Sequence, residues 1–318
     1  RYRTLTGICN DIRNPAMGSS GQLFARNVEF ESTFPDLGGN QLVKNRHVGR
    51  INLMQPDPQL VSRKLFTRAQ SNPWACNDGF GLPGFSRDAD CDYKKAPFFN
   101  VLAAYWIQFM THDWFTHMEE GHNAPEYMNT GCTSEEAKKL GCRPDDRIDK
   151  AYVAESGTPG KFTYQGKEYL KRAPKTFRNN NTAWWDASQI YGYDERSRRR
   201  VKRDPADTAK LLLVSVDGKQ PGYLPMFQDG DPINPEWAGQ EATAFPDNWT
   251  IGMSFYTNQF AREHNRFVEE FRKQPPDADS GLRSPAEPAK VIRYRDVSAD
   301  ALFEVARLVV AAEIVLAL

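Results

Sequence analysis

Apolar residues fall at helical spacing in a few stretches of the chain, and turn formers fill the ground between them. Leu102, Trp106, Phe109 and Met110 recur three or four apart and predict a helix over about Phe98–Met118. A second long helix is expected over about Trp249–Lys273. A third starts near Ser298, a favourable N-cap for the run "ADALFEVARLVVAAEIVLAL". A short helix is expected at Ser134–Leu140. The basic stretch "ERSRRRVKR", Glu195–Arg203, reads as a helical turn with a solvated face. Strings such as "NPAMGSSG", "FPDLGGN" and "MQPDPQ" make residues 1–60 loop-like, and residues 68–98 and 216–248 read the same way. "KQPPDADSGLRSPAEP" is a proline-rich linker. Strand patterns are few and no internal repeat is evident. The chain is expected to be mainly α, with long irregular loops and little β.

Composition narrows the partners. A chain of 318 residues suffices for one large domain or two ordinary ones. Lys+Arg and Asp+Glu both count 41, and no basic tail stands out, so a nucleic acid is not an expected partner. The longest apolar run, "LVVAAEIVLAL", is interrupted by Glu313 and is too short to span a bilayer. The opening at Arg1 and the uncapped apolar end at Leu318 read as a chain cut from something longer. Of five cysteines, Cys132 and Cys142 flank one short loop and Cys76 and Cys91 another, leaving Cys9. Two disulfides in an exported protein and five unpaired thiols are both open readings. No C-x-x-C pair supports a cysteine zinc site.

Three of the five histidines crowd into "WIQFMTHDWFTHMEEGH", Trp106–His122. His112, His117 and His122 are five apart, so on a helix successive rings diverge by roughly 140° and cannot share one tetrahedral zinc. Gln108 and His112 are four apart and stack on one face, where an amide and an imidazole could enter a pocket together. Asp113 is rotated about 100° from His112. One helical turn could therefore serve a reactive pocket through His112 and a cation through Asp113; a satisfied core histidine is the plainer alternative. In "TAWWDASQIYG", an extended course would turn Thr182, Trp184, Asp186 and Ser188 to one side. With Asp113 these give two carboxylates, two hydroxyls and a carbonyl, a hard-oxygen set suited to calcium. An Asp and a Ser capping a turn is the competing reading.

Taken together, four segments in order resemble the peroxidase–cyclooxygenase superfamily, the animal-type haem peroxidases. They are "YRTLTGICNDIRNPAMGSSGQLFARN" at 2–27, "QFMTHDW", "TAWWDASQIYG" and "AREHNRF" at 261–267. "WIQFMTHDW", the double Trp and "QPDPQLVSRKLFTR" at 55–68 are most similar to the fatty-acid α-dioxygenase branch. The resemblance implies a single haem-peroxidase-like domain over 1–318, C-terminally incomplete. His112 would be the distal haem histidine, moving the peroxide proton, with Gln108 holding water or peroxide beside it and Thr111 next to the haem. Asp113, Thr182, Trp184, Asp186 and Ser188 would ligate a structural Ca2+. Arg262, Glu263 and Asn265 would be structural, and His264 not a haem ligand.

Two departures set the expected chemistry. The peroxidase branch carries an ester-forming Asp where this chain has Thr111, so haem b is expected to be held non-covalently. That branch also polarises peroxide with an Arg, and the comparable "GDPINPEWAG", Gly230–Gly239, has none. The resemblance therefore implies an oxygenase: a tyrosyl radical takes a hydrogen from a fatty acid, and O2 adds to give a 2-hydroperoxy acid. A peroxidase using H2O2 on phenols or halides, and a non-catalytic peroxidase-like binding or adhesion domain, are the alternatives. The proximal histidine and the radical tyrosine are expected beyond this sequence, in the remainder of the chain or a second chain. Cysteines and calcium together suggest a secreted or periplasmic location, with a membrane surface as an open partner.

Overall fold

The computed structural model describes residues 3–24, 57–66, 98–115, 126–129, 132, 134–142, 147–151, 155–156, 160–171, 175–176, 178–216, 218, 222–233, 235–246 and 249–317. Seven α-helices lie among them: α1 (Pro58–Phe66), α2 (Val101–Trp114), α3 (Glu135–Lys139), α4 (Ser188–Tyr191), α5 (Glu195–Arg200), α6 (Ile251–Arg272) and α7 (Ala299–Leu316). The chain divides into two compact units. One comprises Arg1–Gln22, Phe99–His117 and Asn179–Leu318; the other comprises Leu23–Phe98 and Met118–Arg178.

The first unit is helical, and each long helix begins where a polar side chain satisfies its first amides. Asn100 accepts from Leu102 N and Ala103 N at 3.0 and 3.3 Å, so α2 starts at Val101 rather than at Phe98. It stops at Phe115, whose backbone is extended at φ −125°, ψ 137°, short of the expected Met118. Thr250 caps α6 and Ser298 caps α7 through the amides of Met253 and Ala301. Helix α6 packs against both α2 and α7. Phe109, Met253, Phe303, Val310 and Ile314 fill the shared core, each worth about 1.5–3 kcal/mol of transfer free energy. The crossing of α2 and α6 depends on Gly252. A Cβ there would stand 2.1 Å from the Tyr105 ring, so only glycine lets the helices approach this closely. The Phe109 and Phe260 rings stack 5.5 Å apart across the same interface. A second core, around Leu302, Val268, Phe271 and Ala306, continues between α6 and α7.

The second unit holds paired strands in a stretch whose polar residues gave little strand signal. Gly160–Tyr164 pairs antiparallel with Lys167–Lys171 across a two-residue turn, and Glu126–Asn129 pairs with Arg147–Ala151. Cys132 and Cys142 form a disulfide around α3, which sets aside the reading of five unpaired thiols. Cys9 is a free, exposed thiol, and Cys76 and Cys91 lie outside the described residues. Asp57 ties α1 to this loop. Its carboxylate accepts from Gln59 N, Cys132 N and Ser134 N at 2.8–2.9 Å. The "PDP" of residues 56–58 thus supplies an acceptor followed by a proline at the first helical position, where a missing N–H costs nothing. Among the described residues no helix is long and apolar enough to cross a membrane.

Candidate functional site

The last turn of α2 carries the candidate chemistry. His112 and Asp113 are both buried, at 0% and 1% exposure. Adjacent helical positions diverge by about 100°, so one turn sends the imidazole and the carboxylate in different directions. Gln108 is half-buried one turn before His112, and its Oε1 accepts from Thr250 Oγ1 at 2.8 Å. The hydroxyl that caps α6 therefore also fixes the acceptor end of the Gln108 amide, which makes Nε2 its donor end. Thr111 Oγ1 donates to Gln108 O at 2.9 Å. The carbonyls that end α2 have no helical donors left and take theirs from the incoming loop. Asn181 Nδ2 donates to His112 O at 2.9 Å and to Phe115 O at 3.2 Å, and Asn179 Nδ2 to Trp114 O at 2.7 Å.

These bonds place the loop 181–188 against Asp113. The segment does not run extended, as its alternation suggested. It bends over residues 181–186 and enters α4 at Ser188. Convergence comes from the bend, with Ala187 in the left-handed region at φ 58°. That conformation turns two successive amides onto one carboxylate: Ser188 N donates to Asp113 Oδ1 at 2.7 Å and Ala187 N to Oδ2 at 3.4 Å. Ser188 N also reaches Asp186 Oδ1 at 3.1 Å, so the two carboxylates share one amide. Thr182 Oγ1 donates to Asp186 Oδ2 at 2.9 Å and lies 3.2 Å from Ser188 Oγ, which itself donates to Asp186 Oδ1. Asp113, Thr182, Asp186 and Ser188 are thus one buried cluster. Trp184 faces elsewhere with its side chain. Its indole Nε1 donates to Met17 O at 3.0 Å and sits on Gly18, where a Cβ would be 2.7 Å from that nitrogen. Ala183 N bonds Gly18 O, and Arg3 donates to Trp185 O, so the N-terminal loop clamps the outside of the segment.

Burial, with the Asp186 carboxylate adding to it, pushes the Asp113 carboxyl well above the usual carboxylate range, against the pull of the Ser188 and Ala187 amides. Two acids this close and this dry favour either a shared proton or a cation. The donors are all oxygens, two carboxylates and two hydroxyls, which fits a hard divalent ion. Among the described residues no three His, Cys, Asp or Glu side chains are gathered where they could hold a metal ion, so an ion here would need the two hydroxyls and backbone carbonyls beside the two carboxylates. For haem, α2 presents one buried imidazole and, a turn earlier, an anchored amide. His264 is committed elsewhere. Its Nδ1 is 2.8 Å from Tyr191 Oη and its Nε2 is 2.9 Å from Ala209 O, leaving no nitrogen for iron. His117 and His122 lie outside the described residues.

Several residues of this centre escape motif reading. Asn179, Asn181 and Thr250 are common polar residues whose role is visible only once the elements meet. Arg307 carried a signal: a lone cation inside the apolar run of α7. Its side chain is 5% exposed and its Nη2 is 3.7 Å from Asp186 Oδ2. In "REHNR", Asn265 clamps the segment at Leu211 by two bonds of 2.8 Å: its Oδ1 accepts from Leu211 N and its Nδ2 donates to Leu211 O. Arg262 bonds the Asn258 carbonyl, and Glu263 pairs loosely with Arg266.

A family model described as animal haem peroxidase matches residues 2–315. Among curated proteins, alpha-dioxygenase 2 of Arabidopsis thaliana is 27% identical over 284 residues, covering 87% of this chain and 33% of its own length. Alpha-dioxygenase PIOX of Oryza sativa subsp. japonica is 27% identical over 280 residues, with 87% and 33% covered. The crystal structure of a fatty acid alpha-dioxygenase from Arabidopsis thaliana aligns with a TM-score of 0.60 at 23% identity, over 98% of this chain and 35% of that one. At that identity the likeness speaks for the fold. The chain spans about a third of the length of the curated relatives it matches.

Proposed function

Because this chain belongs to the animal haem peroxidase family, we propose that it contributes the distal half of a haem-dependent fatty-acid α-dioxygenase. The observation that carries this reading is a single turn of α2 with a buried His112 beside an Asp113 locked to the 182–188 loop. The names of the relatives, alpha-dioxygenases, support the branch. In the proposed reaction a C–H bond next to the carboxylate breaks, O2 adds at that carbon, and the hydrogen returns to give a 2-hydroperoxy acid.

Haem, when bound, would supply the one-electron oxidising chemistry. His112 would take and return the proton of the activating peroxide at its imidazole, as a general acid–base. Gln108, held at Oε1 by Thr250, would present Nε2 as a donor beside it. Asp113, Thr182, Asp186 and Ser188 would hold Ca2+, with a carbonyl from Trp184 as a further oxygen. The ion's role would be structural, tying α2 to the loop rather than touching substrate. Thr111, lacking a carboxylate, would leave haem non-covalently held. On this reading residues 1–318 are part of one catalytic domain, and the histidine that would hold the haem iron would come from the remainder of the chain or a second chain. The Cys132–Cys142 disulfide supports an oxidising compartment.

The test is oxygen uptake by the purified full-length protein with a long-chain fatty acid. Uptake matched by 2-hydroperoxy product, and lost in His112→Gln with the fold intact, is expected. Rapid H2O2 turnover on a phenol with no lipid-dependent oxygen uptake would move the assignment to a peroxidase.

A further inference from the structure

Arg307 is an unusual residue for its place. It sits in the apolar core face of α7, 4% exposed overall. Taking a guanidinium out of water is costly unless its charge and its N–H groups are answered. Its Nε donates to the Asp186 backbone carbonyl at 3.4 Å. Among the described residues its Nη2 meets no hydrogen-bond acceptor, but it stands 3.7 Å from Asp186 Oδ2, an ion-pair distance. Nη1 is 3.6 Å from Glu304 Oε2, and the guanidinium lies 5.8 Å from the Tyr191 ring centroid. A residue held for hydrogen-bond geometry would use its planar fork on the carboxylate. Here the charge is brought close and the fork is not used.

The surroundings say what that charge is for. Asp186 shares the Ser188 amide with Asp113, so two carboxylates occupy one dry site. Among the described residues Arg307 is the cation within ion-pair reach of Asp186. When all are ionised, Asp113, Asp186, Glu304 and Arg307 together leave two negative charges in excess, the charge of one divalent cation. We propose that Arg307 is the built-in counter-ion of the Asp113–Asp186 pair: it holds the loop on α2 in the cation-free protein and, as a like charge beside the incoming ion, weakens cation binding. Glu304, drawing on the other arm of the guanidinium, offsets part of that opposition. The second half of the proposal rests on the reading of this cluster as a calcium site; the first does not.

The test uses the full-length protein and the variants Arg307→Met, Arg307→Lys, Glu304→Gln and Asp186→Asn. Chelator competition reads the Ca2+ affinity. Arg307→Met is expected to bind Ca2+ about tenfold more tightly, since a like charge at close range is removed. Glu304→Gln is expected to bind severalfold more weakly, and Arg307→Lys to stay near wild type. The thermal midpoint in excess chelator reads the counter-ion role. Arg307→Met should lower it by on the order of 10 °C, because a buried charge loses its partner. The same change in the Asp186→Asn background should lower it far less. Equal losses in both backgrounds, Arg307→Lys behaving like Arg307→Met, or Ca2+ affinity unchanged or weakened in Arg307→Met would each overturn the proposal. Wild-type protein that binds no Ca2+ would defeat the calcium reading, and the chelator series would still decide whether Arg307 is the counter-ion.

Discussion

Burial fixes the charge of His264. With Ala209 O accepting from Nε2, Nδ1 is the acceptor of the Tyr191 hydroxyl, and the ring is neutral. Desolvation lowers its pKa from 6.5 to about 4. The unfolded chain therefore takes up a proton first, and stability is lost as pH falls from about 6.5 to about 4, by up to about 3 kcal/mol. Urea unfolding between pH 4 and 7 should show that slope, and His264→Gln should flatten it; an unchanged slope would place the titration elsewhere. Gln108 gives a second test at this scale. Thr250→Val removes the hydroxyl on Gln108 Oε1 and a helix cap, at about 1–2 kcal/mol of stability. On the proposed oxygenase reading, activity is expected to fall more than stability does, read as kcat against Tm, because the amide one turn before His112 loses its orientation. At this scale the sequence was most legible where motif and chemistry agree. His112, Asp113, Thr182, Asp186 and Ser188 are visible from side-chain type. Trp184 is visible only as a motif member, since its indole points to Met17. Asn181 and Thr250 are set by partners far along the chain, which no local pattern encodes, whereas Arg307 stands out as the lone cation of an apolar run although its partner does not.

Among elements, the helices were the readable part: Ser298 starts α7 and Ser134 starts α3 as expected, while α2 begins and ends inside its expected bounds. A 3.6-residue rhythm announces α2, α6 and α7, but Asn100 and Thr250 decide their first residues by taking amides. The expected extended course of 182–188 fails because Ala187 adopts a left-handed conformation, which apolar–polar alternation cannot reveal. The short ladders between 126 and 176 were hidden by their polarity, since both faces of a small two-stranded unit can meet water. Two element-level outcomes follow from the contacts. Gly252→Ala must displace the Tyr105 ring and should destabilise by about 1–3 kcal/mol in chemical denaturation; an unaffected midpoint would mean that α2 and α6 do not cross there. Opening the Cys132–Cys142 bond removes about 3 kcal/mol on the loop-closure estimate for a separation of 10 residues. The effect should stay local: proteolysis around α3 rises while haem absorbance is unchanged.

For the whole molecule, one turn of α2 carries the two buried side chains of the proposed function, His112 and Asp113. Asp113 belongs to the carboxylate cluster, His112 would face haem on the proposed reading, and the backbone between them is bonded to Asn181 and, through Asp113, to Ser188. If a divalent ion fills the cluster, its loss leaves the two buried carboxylates answered, among the described residues, by Arg307 alone, and the last turn of α2 is held less tightly. The direct measurement is the Soret spectrum of purified full-length protein as calcium is chelated and then returned. A haem band that shifts or weakens on chelation, recovers with Ca2+ and is already perturbed in Asp113→Asn is the predicted result. A Soret band indifferent to calcium, with the ion demonstrably removed, would contradict the claim that one turn of α2 serves both sites.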